Sequence, residues 1–153
     1  MQATATIRRV FAAAWAVALA ISVPLAGAQT AHADQPMALR GVMEQLGRDM
    51  QAAAGAISKE DWALVTDLAP RIARHPEPPA PEKVRILSWL GADAGKFRGW
   101  DVQAQEAGIA MGEAASRGDG QAVIAAFARV QQSCLGCHQR FRQPFLEHFY
   151  GPR

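Results

Sequence analysis

Six positions near the end of the chain, Val123, Phe127, Val130, Cys134, Cys137 and Phe141, follow one another at intervals of four, three, four, three and four residues. Side chains three and four apart share one face of an α-helix, whereas a strand alternates its faces every two residues. The stripe therefore predicts a helix that must bury this face against other elements. Gly118-Asp119-Gly120 supplies a tight turn and an N-cap before it, and Pro144 is expected to end it. The only two cysteines of the protein lie on the stripe, and a histidine follows the second: CLGCH, Cys134 to His138.

Upstream segments read the same way. Leu39, Met43, Leu46, Met50, Ala53 and Ile57 form one stripe, with Asp34 and Pro36 as N-cap and first-turn residues. Ser58, Glu60 and Asp61 resemble a capping start for a second helix with the stripe Trp62, Val65, Ala69 and Ile72, which Pro70 should kink or shorten. HPEPPAP, His75 to Pro81, is expected as an extended connector. A short helix over Val84–Leu90 closed by Gly91 follows, then a long one from about Asp93 to Arg117. The long helix carries Phe97, Trp100 or Asp101, Ala104, Ala107, Met111 and Ala114 on one face, and its glycines allow a close approach to its backbone. No segment alternates with period two. The expected fold is all-α, an antiparallel four-helix bundle.

The first 33 residues stand apart. Arg8 and Arg9 precede an apolar run from Val10 to Val23, Pro24 breaks it, and Ala31-His32-Ala33 offers small residues where a signal peptidase reads. The run is shorter than the ~20 apolar residues that span a bilayer. Residues 1–33 are expected as a secretory signal peptide, cut after Ala33 or secondarily after Ala28, with the domain over 34–153 and export to the periplasm. RRVF hints at the twin-arginine route, but Sec-type export is the expectation. Removing 33 of the 153 residues leaves 120 and takes two of the 16 basic residues, so 14 remain against 14 acidic ones. A near-neutral domain gives no reason to expect nucleic acid or an anionic membrane surface as partner.

The cysteines thus fall on the core-facing side of the last helix. Cys134, Cys137 and His138 project from neighbouring positions. Two thiols at this spacing can add to the two vinyl groups of haem while the histidine reaches the iron, the pattern of covalent haem c attachment. A thioredoxin-like dithiol would need a preceding strand and a βαβ unit. A zinc site would need four ligands, the two thiolates, His138 and perhaps His148. A disulfide would join two positions on one helix and constrain almost nothing.

With these residues placed, the chain resembles the class II c-type cytochromes, the cytochrome c′ family. The stretch GDGQAVIAAFARVQQSCLGCHQRFR is similar to that family's last helix, and VMEQLGRDM in the first helix is similar to its distal pattern. The resemblance covers most of residues 36–142. It implies a four-helix bundle holding one haem with His138 as proximal ligand. It also places Met43 where low-spin members carry a sixth ligand and gas-binding members a non-ligating apolar residue. By residue type alone Met43 is core packing, and Met50 and Met111 share its apolar setting. His75, in the Pro-rich loop, is expected to face solvent. The family often has an arginine one turn before the distal residue, near a haem propionate; here Leu39 stands there, with Arg40 about 100° further round. The resemblance also sets Arg142 near the proximal face. Arg140 and Arg142 in addition favour a helix C-terminus.

Two functions follow as expectations. One is a periplasmic electron carrier with His138 and Met43 as axial ligands, passing single electrons to a redox partner protein and needing no catalytic residues. The other is a five-coordinate cytochrome that binds nitric oxide or carbon monoxide. Relatives are often dimers through their first two helices, so a homodimer is also expected as a possibility.

Overall fold

A computed structural model describes residues 36–151. The expected signal peptide and its cleavage site lie outside the described residues. The described residues hold six α-helices: α1 (Ala38–Ile57), α2 (Trp62–Ala73), α3 (Ala80–Leu90), α4 (Ala94–Ser116), α5 (Gly120–Cys137) and α6 (Gln143–Tyr150). A 3₁₀ turn, Gly91–Asp93, leads into α4, and a π turn, His138–Arg142, joins α5 to α6. No strand occurs among the described residues. The four long helices α1, α2, α4 and α5 make an all-α four-helix bundle, and α3 and α6 sit at one end of it. No helix among the described residues is long and apolar enough to cross a membrane.

The centre of the bundle is α4, which packs most extensively on α5 and on α2. Its small residues explain how α2 comes so near. A Cβ built on Gly112 would meet the Ala69 Cβ at 2.9 Å, and one on Gly108 would meet the Ala73 Cβ at 3.1 Å. These pairs also fix the two helices as antiparallel, since the later α4 residue faces the earlier α2 residue. The close approach expected of the α4 glycines thus holds for two of them. Gly95 and Gly99 have nothing within 4 Å of such a Cβ.

Two apolar clusters divide the interior. The first joins α1, α2, α4 and α5 through Ala53, Val65, Met111, Val123 and Val130, all fully buried. The second joins Met37, Ile86, Leu90 and Phe141 with the partly buried Phe97, Trp100, Phe145 and Phe149. One buried charge crosses between helices in the first half of the bundle. Asp49 of α1 is 3% exposed, accepts from the Gln45 amide at 3.0 Å and pairs with Arg71 of α2. A buried carboxylate without such partners would be costly.

Several local expectations need correction. Ser58 does not start α2: its hydroxyl donates back to the Ala54 carbonyl at 2.9 Å and it caps the end of α1. Asp61 is the cap of α2, its carboxylate accepting from the Leu64 amide at 3.1 Å. Pro70 does not end α2, which runs on to Ala73. The connector after His75 gives way to α3 at Ala80, because a proline in a first turn lacks only an N–H that would have no partner there. Pro144 likewise starts the first turn of α6 and does not stop the chain's helical course. The α1 N-cap is Met37, which offers no side-chain acceptor.

The glycines give a paired test. Gly112→Ala should destabilise by about 1–3 kcal/mol through overpacking against Ala69. Gly95→Ala, with open space around it, should stabilise by up to about 1 kcal/mol through helix propensity. Urea unfolding of the two variants checks both signs.

Candidate functional site

The motif sits where the two apolar clusters meet. Cys134 packs against the first cluster and Cys137 against the second. The helix carries both thiols half-buried, while His138, at the α5 C-cap, reaches the surface. The π turn begins at His138. Such turns are rare and recur at functional positions. They insert one residue into the helical rhythm, and here this keeps Phe141, Phe145 and Phe149 turned inward beyond the motif.

The small residue inside the motif has a structural cause. The Trp100 indole of α4 lies directly over Gly136, so that a Cβ there would fall 2.6–2.9 Å from three ring atoms. Only glycine admits this contact. Phe97 of α4 meets Phe141 edge-on, with ring centroids 5.5 Å apart. Trp100, Phe97 and Phe141 therefore form an aromatic group around Cys137.

The protonation states suit one chemistry better than its rivals. Burial, with Asp101 and Cys134 nearby, pushes the Cys137 thiol up to about 11. Burial and then Asp101 also raise Cys134. What burial the His138 ring has, and then Arg142, lower its pKa below 6.5. A reactive dithiol needs lowered thiol pKa values. Both cysteines are free thiols. No group of three or more His, Cys, Asp or Glu side chains converges as a metal site among the described residues. His148, the possible fourth zinc ligand, instead stacks on Trp89 at 5.7 Å. Two neutral thiols beside a neutral imidazole, walled by aromatic rings, fit covalent haem c: the thiols would hold the vinyl carbons and His138 would offer the ring nitrogen that iron needs.

The other predicted residues fall out unevenly. Of the four methionines described, Met111 is fully buried, Met37 is 8% exposed and Met50 packs against the first cluster. Met43 is different. It is 38% exposed, so the core-stripe expectation fails for it. It stands on α1 between Leu39, which packs in the second cluster, and Leu46, which packs in the first. On α5 the motif occupies the same interval, between Phe141 and Val130, so antiparallel α1 brings Met43 to the level of the motif. Arg40 is exposed and pairs with Glu44 at 2.9 Å. Arg142 is also exposed, and Arg140 pairs with Asp93 at 3.1 Å.

His75 overturns its expectation of facing solvent. Its side chain is 12% exposed, with Nε2 3.2 Å from the Asp101 carboxylate and Nδ1 3.0 Å from the Ile72 carbonyl. Asp101 also accepts from the Gln105 amide at 2.8 Å. The connector is thereby tied to α4 beside the cysteines. Sequence reasoning missed this pair, because only the fold brings the loop to Asp101. The Asp101 hydrogen bond raises the His75 pKa above 6.5, against the opposing effect of burial. Its stabilising effect is therefore whole below about pH 6.5 and fades as pH rises through the folded value. Asp101→Asn should narrow its stability gap from the parent as pH climbs through that window. Urea midpoints across a pH series check this.

Comparison with known proteins bears on one half of this site. Residues 83–142 match the family model described as Cytochrome C′. No curated protein and no solved structure matches the chain. The matched stretch holds most of α3, all of α4 and α5, and with them Trp100, Cys134, Cys137 and His138. It leaves out α1, with Arg40 and Met43. Residues 83–142 are thus similar to the Cytochrome C′ family, on a fold that is itself an all-α four-helix bundle.

Proposed function

We propose that the chain is an exported, periplasmic cytochrome that carries single electrons through one covalently held haem c, with Cys134 and Cys137 as attachment points and His138 and Met43 as axial ligands. The observation that carries the choice of electron transfer is Met43. Three described methionines are spent in the core, and this one is left half open at the level of the motif.

Bound haem supplies a one-electron Fe(III)/Fe(II) couple, and a thioether ligand favours the ferrous side. The chain's part is to hold and insulate. Cys134 and Cys137 fix the group to α5. His138 presents a neutral imidazole, and Arg142 works against its protonation. Phe97, Trp100 and Phe141 exclude water from one side of the motif. Met43 would offer its thioether where an external gas would otherwise bind. Arg40 and Arg142, both exposed, would meet the propionates or a partner surface. The partner is a redox protein, and a second copy of the chain is a further candidate for contact.

The competing reading is a five-coordinate gas binder. Visible spectra of the haem-loaded protein with and without carbon monoxide separate the two. The proposal expects low-spin spectra that ignore carbon monoxide, and a Met43→Ala variant that turns high-spin and binds it. A parent protein that binds carbon monoxide readily would sink the electron-carrier reading. Because Met43 is exposed, the same change should cost under about 1 kcal/mol of fold stability before haem is attached. Met111→Ala, in the core, should cost about 2–5 kcal/mol.

A further inference from the structure

The first turn of α1 is capped from a distance. A helix start leaves amide N–H groups without intrahelical partners, and Met37 supplies no side-chain acceptor. Two residues from elsewhere do. Glu82, in the first turn of α3, accepts from the Ala38 amide through Oε2 and from the Leu39 amide through Oε1, both at 2.8 Å. Tyr150, the last residue of α6, accepts from the Met37 amide through its hydroxyl at 3.1 Å. The Glu82 bonds are charge-assisted and meet the positive end of the helix dipole. Met37 itself is buried beneath this clamp in the second cluster.

The clamp matters because of how α1 is held. It packs along α2 and only sparsely on α5. Its far half is fixed to α2 by the buried Asp49–Arg71 pair. Its near half has the clamp. Met43 lies six residues beyond Met37, about 9 Å along the axis. Between them Leu39 packs against the second cluster, which also holds Phe141 and Cys137, so the clamp and this contact together set where the near half of α1 stands relative to the motif.

We infer that Glu82 and Tyr150 are positioning residues for the sixth coordination site: by pinning the first turn of α1 they fix the reach of Met43 to the iron. This rests on the reading of Met43 as the sixth ligand. It also gives the tail beyond Pro144 a role. The tail carries the hydroxyl to α1, and Phe145 and Phe149 pack on Trp89 with centroids 5.7 and 5.6 Å apart to hold α6 in place.

The test uses the full-length protein loaded with haem in an exporting host. Glu82→Gln and Tyr150→Phe, singly and together, keep size and packing while weakening the capping bonds. Glu77→Gln, a change at an exposed carboxylate paired with Lys83, controls for charge. The readouts are the ferric Fe–S(Met) band, the high-spin fraction and carbon monoxide affinity, with thermal unfolding recorded alongside. The double variant should lose Fe–S(Met) intensity and gain about tenfold or more in carbon monoxide affinity, as expected for losing a charge-assisted capping contact. The Glu77 control should match the parent. A double variant that is as inert to carbon monoxide as the parent, while Met43→Ala opens the site, overturns the clamp and spares the ligand reading. A parent that is already five-coordinate overturns both. A purely structural clamp would lower the melting temperature and leave spin state and gas affinity unchanged, and that result also overturns the inference.

Discussion

The contact of the Trp100 ring with Gly136 holds the site in place. It presses the central helix of the bundle onto the motif at the one residue that has no side chain to resist. Once α4 lies there, α5 has a fixed register against it. The thiols then fall at the seam between the two apolar clusters, one on each side. The same helix draws α2 close through Gly108 and Gly112. Two faces of α4 thus set two walls of the bundle, and both rely on small residues at closely spaced backbones. Interiors packed at crystal-like density transmit such constraints, since a shift of one helix has no free volume to absorb it.

Electrostatics around the motif follow from that packing. Half-burial of the thiols raises their pKa values, and the nearby Asp101 carboxylate raises them further. The same carboxylate holds His75 of the connector and so is tied into the structure. The environment suits thiols that are consumed once in thioether bonds. It does not suit thiols that must ionise repeatedly for redox exchange. His138 sits a short step outward, where partial burial and Arg142 both favour the neutral ring. One stretch of helix therefore holds neutral sulfur and neutral nitrogen side by side, which is the combination haem attachment and axial ligation need.

How much of this was legible beforehand differs by element. The last two long helices were readable because their signals are local: a strict apolar spacing, an Asp119 cap whose carboxylate accepts from the Ala122 amide, and a five-residue motif. The fold class followed from the same periodicity. Boundaries at proline were misread, because first-turn prolines at Pro81 and Pro144 are compatible with helix and only tertiary placement reveals them as starts. The Ser58 cap was misread because Ser58 and Asp61 compete for one turn, and the hydrogen bonds go to different helices. The stripe of α1 was only partly right: Asp49 is buried and Met43 is not. That reversal had no local signal, since the Asp49 partner Arg71 lies on another helix. The contacts of His75 with Asp101, and of Glu82 and Tyr150 with α1, join residues 26 to 113 positions apart and leave no trace in any short window.

These contacts imply a division of labour between the two halves of the site. The proximal half, from α3 through the π turn, is built from the motif and the α4 wall, and it is the part that matches a known family. On the proposed reading the distal half is α1, which no motif defines; its far half packs along α2 and its first turn is held by Glu82 and Tyr150. A first turn held by such polar contacts could shift while the helix's own hydrogen bonds stay intact, so changes at α3 or α6 would move the near half without unfolding the helix. Coordination at the sixth position would then be adjustable independently of haem attachment. The bundle would set the proximal ligand through buried packing that admits one arrangement. It would set the distal one through a few polar contacts at the first turn of α1.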